Sequence, residues 1–499
     1  MDPRPPSRKR RRSSACETGK GPSEHSIGDS RPRAGDQTGS GTGSLRYRLL
    51  ACGCNVYGQL GHGRGYAQGS TGLFSTVESP TVVMAAGASL RVLYVGVHTV
   101  CVERDGCLYL QGLLPTLAPA AINPERCRRV LPLPLPSSVR ARDVAKAFGT
   151  QWSFVGLILC DGSICTFSLA GWSLARPSRT VVPGKVADIQ INNCGELCIL
   201  SYDQCHVDDS GGSSDQPKHS TSSVITVYPP LPSITDNLYD SSLQSLSPNL
   251  AASASIFRLP VDTSTCASAC EYFTSIAATA TGFVALTNNG RVHTYGDGRY
   301  NSLGRALNAT HSAGSANNGA GWGLVAALDG IVIQRIAAAR GGHIQLALSA
   351  DRTAYIWGGD GTENVNTSAH PPTASPTTDS SDEDVCMVDI ASPGSGEPVD
   401  FSHAAVGEDH VVLVEADDGG VWVSGGSDMA QTGFGQEYRC LPTALVADEE
   451  TRKQKAQWRR WDPIIEAEEC VVQVECGFGC TLVVVGEVTE GYARLVPNI

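Results

Sequence analysis

No run of eighteen apolar residues occurs anywhere in this 499-residue sequence, so no membrane-spanning helix is expected. The N-terminus has no apolar stretch behind its basic residues, which argues against a secretory signal. No C-x-x-C pair occurs among the eighteen cysteines, and no Cys/His knuckles stand at ligand spacing, so neither a zinc site nor another metal site is expected. Without a secretory signal, disulfides are not expected either. Cys101, Cys165, Cys198 and Cys476 sit in apolar runs, where a thiol behaves as a small core residue. Aromatic residues make up only 6% of the chain. What is plentiful is Gly (54) and Pro (28), against a 41% apolar fraction that can still fill a core. That balance favours many short strands and turns over long helices.

Charge is unevenly placed. Residues 1–44 carry nine Lys and Arg against five Asp and Glu, and the rest of the chain is strongly acidic. An acidic body disfavours nucleic acid, whose binding needs Lys and Arg to neutralise phosphates. Residues 1–44 are poor in large apolar side chains and read as a disordered leader. Within them Arg8, Lys9, Arg10, Arg11 and Arg12 form a compact basic block of the kind that directs nuclear import, giving an expected location in nucleus, cytoplasm or both. Residues 208–255 and 362–398 are rich in Ser, Asp, Thr and Pro and read as surface insertions. The second holds Asp379-Ser380-Ser381-Asp382-Glu383-Asp384 just before the β-prone Val385-Cys386-Met387-Val388. A third excursion covers 307–321, and 488–499 forms a C-terminal tail.

Between these segments one pattern recurs. An apolar run passes through a Gly or His turn into a second apolar run. An Asp-Gly or Asn-Gly turn follows, and then a third run, often with an aromatic, that ends in Gly. Copies cover 92–112, 143–168, 186–207, 273–304, 333–361 and 401–426, with a half copy at 470–487. In the third copy Tyr202-Asp203-Gln204 stands where the Asp-Gly turn is expected. Asp-Gly and Asn-Gly supply the positive φ of tight hairpins. A sheet this small cannot bury both faces alone, so the copies must stack, and radial stacking gives a β-propeller. The half copy lacks its final strand. Leu49-Leu50-Ala51-Cys52-Gly53, with the turn that follows, supplies that strand as the last of the ring, so the two chain ends are expected to pair.

The stretch ACGCNVYGQLGHG resembles the G-x-N-x-x-G-Q-L-G-x-G signature of the regulator of chromosome condensation (RCC1) repeat, through Gly53, Asn55, Gly58, Gln59, Leu60 and Gly61. Asp297-Gly298-Arg299-Tyr300-Asn301-Ser302-Leu303-Gly304 is a second, weaker match. Gly96/His98, Gly342/His343 and Gly407/His410 resemble the repeat's glycine–histidine turn. The resemblance implies an all-β, seven-bladed propeller over residues 45–487. Divergent fungal alpha-tubulin suppressor proteins are a similar subgroup.

Such propellers are interaction platforms, and the resemblance implies a non-enzymatic adaptor with protein partners. It also implies two alternatives. One is guanine-nucleotide exchange on a Ran-type small GTPase, and the other is an accessory role in tRNA wobble-uridine modification and diphthamide synthesis. No cofactor is implied. The repeat histidines are expected to hydrogen-bond turn backbone, since separate blades hold them too far apart to share a metal. Trp357 and Trp422 are expected to pack between blades. No catalytic Ser-His-Asp set or H-E-x-x-H stands out. Arg299, Tyr300, Arg340 and Glu408 lie at or beside turns, where a propeller rim presents side chains to partners.

Overall fold

A computed structural model describes residues 46–56, 58–60, 76–112, 130–152, 154–167, 169–170, 173–174, 178–180, 185–204, 221–230, 254–259, 271–305, 319–359, 385–393, 395–426, 429–434, 458–461, 465–466 and 468–487. The leader 1–44 with its basic block, Gly61, and the tail 488–499 lie outside them, as does most of each of the insertions expected at 208–255 and 362–398. Among the described residues the strands form seven four-stranded antiparallel sheets, each paired in an up-and-down order, plus one two-residue hairpin. These are the seven blades of a propeller, numbered here along the chain.

Blade 1 contains Leu90–Val95, Thr99–Arg104, Cys107–Gly112 and Leu131–Pro132. Blades 2 to 6 begin at Val144–Gly149, Lys185–Ile191, Phe273–Ala278, Ile333–Ala338 and Phe401–Val406. Blade 7 joins Glu469–Gly477 and Cys480–Glu487 to Tyr47–Cys54 and Thr76–Ala86. The ring therefore closes through its ends, with Tyr47 opposite Gly486 and Gly53 opposite Cys480. The opening stretch is the third strand of its blade, not the last. The outer place belongs to Thr76–Ala86, whose proline and two bulges hide its strand character in the sequence.

Three further expectations are corrected. Segment 208–255 is not wholly an insertion, because Thr221–Tyr228 is the third strand of blade 3 and Ser255–Phe257 its fourth. Segment 362–398 likewise contains Val385–Met387, the outer strand of blade 5, and the buried Val388 and Ile390. Both strands are short apolar runs inside Ser- and Asp-rich surroundings that dominate the average composition. Tyr202-Asp203-Gln204 is not a turn. Leu197–Gln204 runs straight through it, paired to Thr221–Tyr228 along its whole length.

The core is divided among seven interfaces, each between consecutive blades. Phe401, Val411 and Trp422 of blade 6 pack on Leu346 and Ile356 of blade 5, for instance. Trp357, fully buried, fills the interface of blades 4 and 5. Cys101 and Cys165 are buried between blades 1 and 2, and Cys198 between blades 3 and 4, as small core residues. Cys476 differs, since it is only partly buried and borders the central channel.

The first strand of every blade carries a β-bulge. The residue that resumes the ladder is polar each time: Tyr94, Lys146, Asp188, Ser275, Arg335, His403 and Gln473. A bulge bends its strand and re-aims a side chain. Four of these residues reach the following blade. Tyr94 Oη donates to Thr150 O at 2.5 Å, and Lys146 Nζ to Asp188 Oδ2 at 2.5 Å. His403 hydrogen-bonds the Val472 backbone. Gln473 brackets Val92, accepting from its N–H at 3.0 Å and donating to its carbonyl at 2.6 Å. Polar links thus run around part of the axis, from blade 6 through blades 7, 1 and 2 to blade 3.

Candidate functional site

In an up-and-down sheet, the turn from first to second strand and the connection from third to fourth emerge at the same end. One face of the ring therefore carries both the glycine–histidine turns and the signature loops. The first signature closes its own loop. Gly58 adopts φ 69°, its N–H bonds the Asn55 carbonyl at 3.0 Å, and Asn55 Oδ1 accepts from Leu60 N–H at 2.9 Å. Gln59 Nε2 donates to Cys54 O at 2.8 Å, and Leu60 is fully buried. Gly53, at φ 108°, lies so close to the Gly479 carbonyl that a Cβ there would sit 2.3 Å from the oxygen. These residues shape the loop.

A further copy of the loop escapes sequence reading because alanine replaces its glycine. Ala430 takes φ 58°, followed by the buried Gln431 and by Gly433 at φ 77°. Gln431 donates to both oxygens of Asp409 at 3.0 Å, and its carbonyl accepts from Thr481 Oγ1 at 2.8 Å. His410 Nε2 lies 2.9 Å from the same hydroxyl. His410 thus locks blade 6 to blade 7 through a side chain rather than through turn backbone.

The three histidines are not equivalent. Fully buried His410 opens a strand, whereas His98 and His343 sit just before one. A Cβ at Gly407 would stand 2.0 Å from the His410 ring, one at Gly342 2.3 Å from Glu408 O, and one at Gly96 2.4 Å from Tyr94 Oη. Glycine at all three positions permits close packing.

His98 and His343 instead belong to aromatic groups on this face. His98 lies 5.6 Å from Trp152, and Trp152 lies 6.4 Å from Phe478, joining the turns of blades 1, 2 and 7. Trp152 is 48% exposed. His343 stacks on Tyr300 at 4.3 Å, and Tyr300 is 46% exposed at φ 63°. The Arg299 side chain lies outside the described residues. Arg340 and Glu408 are not at the outer rim. Both line the central channel, where the Arg340 guanidinium lies 5.2 Å over the Tyr94 ring. The channel, the aromatic pairs and these charges therefore open onto one face. Composition could not have revealed this clustering, because its aromatic and charged members come from six blades. Among the described residues, no three His, Cys, Asp or Glu side chains are grouped to hold a metal ion.

No protein-family model matches the chain, and no curated protein sequence matches it. Solved structures do. Prp20p from Saccharomyces cerevisiae, described with binding properties to Gsp1p and histones, aligns at 14% identity over 91% of this chain and 96% of its own, with a TM-score of 0.54. Yeast RCC1 (Prp20) bound to Kap60 aligns at 13% identity over 90% and 91%, with a TM-score of 0.55. Human WBSCR16 aligns at 12% identity over 89% and 100%, with a TM-score of 0.52. At such identities the likeness speaks for the fold. This chain is a seven-bladed β-propeller, similar in fold to the solved regulator-of-chromosome-condensation propellers.

Proposed function

We propose that this propeller is a non-enzymatic scaffold that binds a protein partner on the face carrying the turns and signature loops. The observation behind this reading is the exposed aromatic set on that face. Trp152 is held between His98 and Phe478, and Tyr300 on His343, so each presents a preorganised ring to solvent. Aromatic anchors of this kind dominate protein interfaces because they bury much area at little entropic cost. The acidic body favours a partner with a basic patch.

The test is affinity capture with the full chain, followed by Trp152→Ala with Tyr300→Ala. The double variant is expected to lose at least tenfold in affinity for the captured partner while its Tm stays within a few degrees, since both rings are half-exposed. Nucleotide exchange is the competing reading, motivated by the likeness to Prp20p, a protein described as binding Gsp1p. Acceleration of GDP release from a Ran-type GTPase at catalytic propeller concentrations would overturn the scaffold reading. The basic block is proposed to direct import. Replacing Arg8, Lys9, Arg10, Arg11 and Arg12 by Ala is expected to abolish nuclear enrichment, and an unchanged nuclear signal would refute that.

A further inference from the structure

The bore of the ring encloses a cavity of about 230 Å³, bounded by inner strands and turns of all seven blades. That is room for about seven waters at roughly 30 Å³ each, or for one small organic molecule. Its wall combines small residues, chiefly Ala, Val and Gly, with polar groups from Tyr94, Gln151, Gln190, Arg340, Glu408 and Glu475. A small concave chamber on which several polar groups converge has the general form of a site for a polar ligand.

Those polar groups do not satisfy one another. Arg340 reaches Gln190 Oε1 only at 3.4 Å, and among the described residues no carboxylate comes within 4.0 Å of its guanidinium. Glu475 accepts a single bond, from Gln473 Nε2 at 3.1 Å. Glu408 has no hydrogen-bond partner among the described residues. Gln151 is 5% exposed, and its Oε1 is buried without a hydrogen-bond partner among the described residues. A buried acceptor left unpaired is costly, so such a group marks a place where something else completes the bond. Lys146 and Asp188 add no net charge, because they neutralise each other at 2.5 Å. Burial, with the Asp409 charge beside it, pushes the Glu408 carboxyl up to about 7, and burial raises Glu475 as well. Glu475 feels the charges of Arg340 and Lys146 but forms no ion pair with either among the described residues, and no cation acts on Glu408.

With both carboxyls ionised, as a bound cation would hold them, one guanidinium and two carboxylates give the chamber a net charge of −1, and the complement is one carboxylate with two cationic groups. We propose that the axial cavity binds a free basic amino acid, its carboxylate on Arg340 and its two cationic groups on Glu408 and Glu475, with Gln151 hydrogen-bonding the ligand. This site adjoins the aromatic face proposed to hold a protein partner, with Phe478 bordering both, but it is tested with small ligands alone, so either reading can fail without the other.

Calorimetric titration of the full chain tests the idea with L-arginine, L-lysine and agmatine, the last lacking the carboxylate. Saturable binding of arginine or lysine is expected, with agmatine at least tenfold weaker, the loss of one charge-assisted pair. Arg340→Gln should weaken arginine by about tenfold or more yet leave agmatine unchanged, a selectivity switch that mere structural damage would not give. Glu475→Gln should weaken all three ligands, and Ala404→Leu, which fills the chamber without touching a charge, should abolish binding. No saturable heat from arginine or lysine up to about 10 mM overturns the proposal. So does equal weakening of arginine and agmatine by Arg340→Gln. Binding of an arginine-containing peptide but of neither free amino acid overturns it in favour of a partner's side chain.

Discussion

Blades 4 and 7 solve the same problem under different conditions. Blade 4 comes from one continuous stretch, and each of its four strands has six residues. Blade 7 is assembled from both ends of the chain, and its strands have nine, eight, eight and eleven residues. Bringing such distant segments together carries a loop-closure entropy that adjacent hairpins avoid. Longer ladders offset it, and so do charged pins, whose counterparts in blade 4, Arg291 with Glu271 at 3.7 Å and with Asp329 at 3.4 Å, are more exposed. Arg48 on the N-terminal strand pairs with Glu469 through both of its oxygens, and with Glu466 at 3.2 Å. The partial burial of Arg48 and Glu469 makes this pair a register mark between the N-terminal strand and the first strand of blade 7. Where closure is local, short strands suffice. Where it joins the termini, length and charge fix the register.

The largest effect should come from breaking blade 7 outright. Deleting residues 46–86 removes two of its four strands and the buried Leu49, Leu50, Ala51 and Cys52. Loss of cooperative unfolding and concentration-dependent aggregation are expected, because an exposed edge pairs with other chains. Calorimetry and size-exclusion chromatography check this, and a monomer that melts like the parent would refute closure through the termini. Trimming the outer strand of blade 4, residues 319–324, should be milder.

Next comes the interface of blade 6 with the closing blade. Burial, with Arg335 nearby, pulls the His403 pKa down to about 4. Its native pKa therefore lies below the ordinary 6.5, so the unfolded chain binds a proton that the native state refuses between those values. The stabilisation is complete above pH 6.5 and falls by about 3 kcal/mol as pH drops to 4. His403→Gln should flatten that acid-side loss in chemical denaturation. Glu408 works in the opposite sense. Its raised pKa of about 7 means that native stability decreases as pH rises from the ordinary carboxylate range to 7, so Glu408→Gln should steepen the acid-side fall. In blade 4 the corresponding post-bulge residue is Ser275, which has no such titration.

Smaller again is a matched pair of glycines. A Cβ at Gly53 would meet Gly479 O at 2.3 Å, and one at Gly296 in blade 4 would meet Thr281 O at 2.4 Å. Both glycines have positive φ, so Gly53→Ala and Gly296→Ala should each cost about 2 kcal/mol or more. Near-equal costs would show that the strand-end geometry is common to local and non-local blades. A much smaller cost at Gly53 would show that the closing blade yields. The least effect is that of the charged pin. A double-mutant cycle with Arg48→Met and Glu469→Gln should give a coupling of about 1 kcal/mol, reduced by salt.

Much of the ring is legible because it is written locally. Asp105-Gly106, Asp161-Gly162 and Asn289-Gly290 form turns with Gly106, Gly162 and Gly290 at φ near 80°, as their dipeptides require. Blade 5 hides the same turn by placing Arg352 at φ 68°. The outer strands are the least legible. Leu131–Pro132 and Arg459–Arg460 are two residues long and become strands only by pairing with an existing edge. The basic block and the signature glycines could be named from the sequence, whereas the placement of Arg340 and Glu408 in the channel could not.

The sequence by itself determined the repeat, its turns, the apolar alternation of the inner strands and the shared blade of the two chain ends. All of these depend on neighbours within a few residues or on a pattern that recurs. Only the tertiary structure decided where the seven bulges turn a polar side chain towards the next blade. It alone placed Trp152, Phe478 and Tyr300 on one face, and Arg340, Glu408, Glu475 and Gln151 around one cavity. Those groupings join residues from different blades, and closure of the ring, rather than any local preference, sets the distances between them.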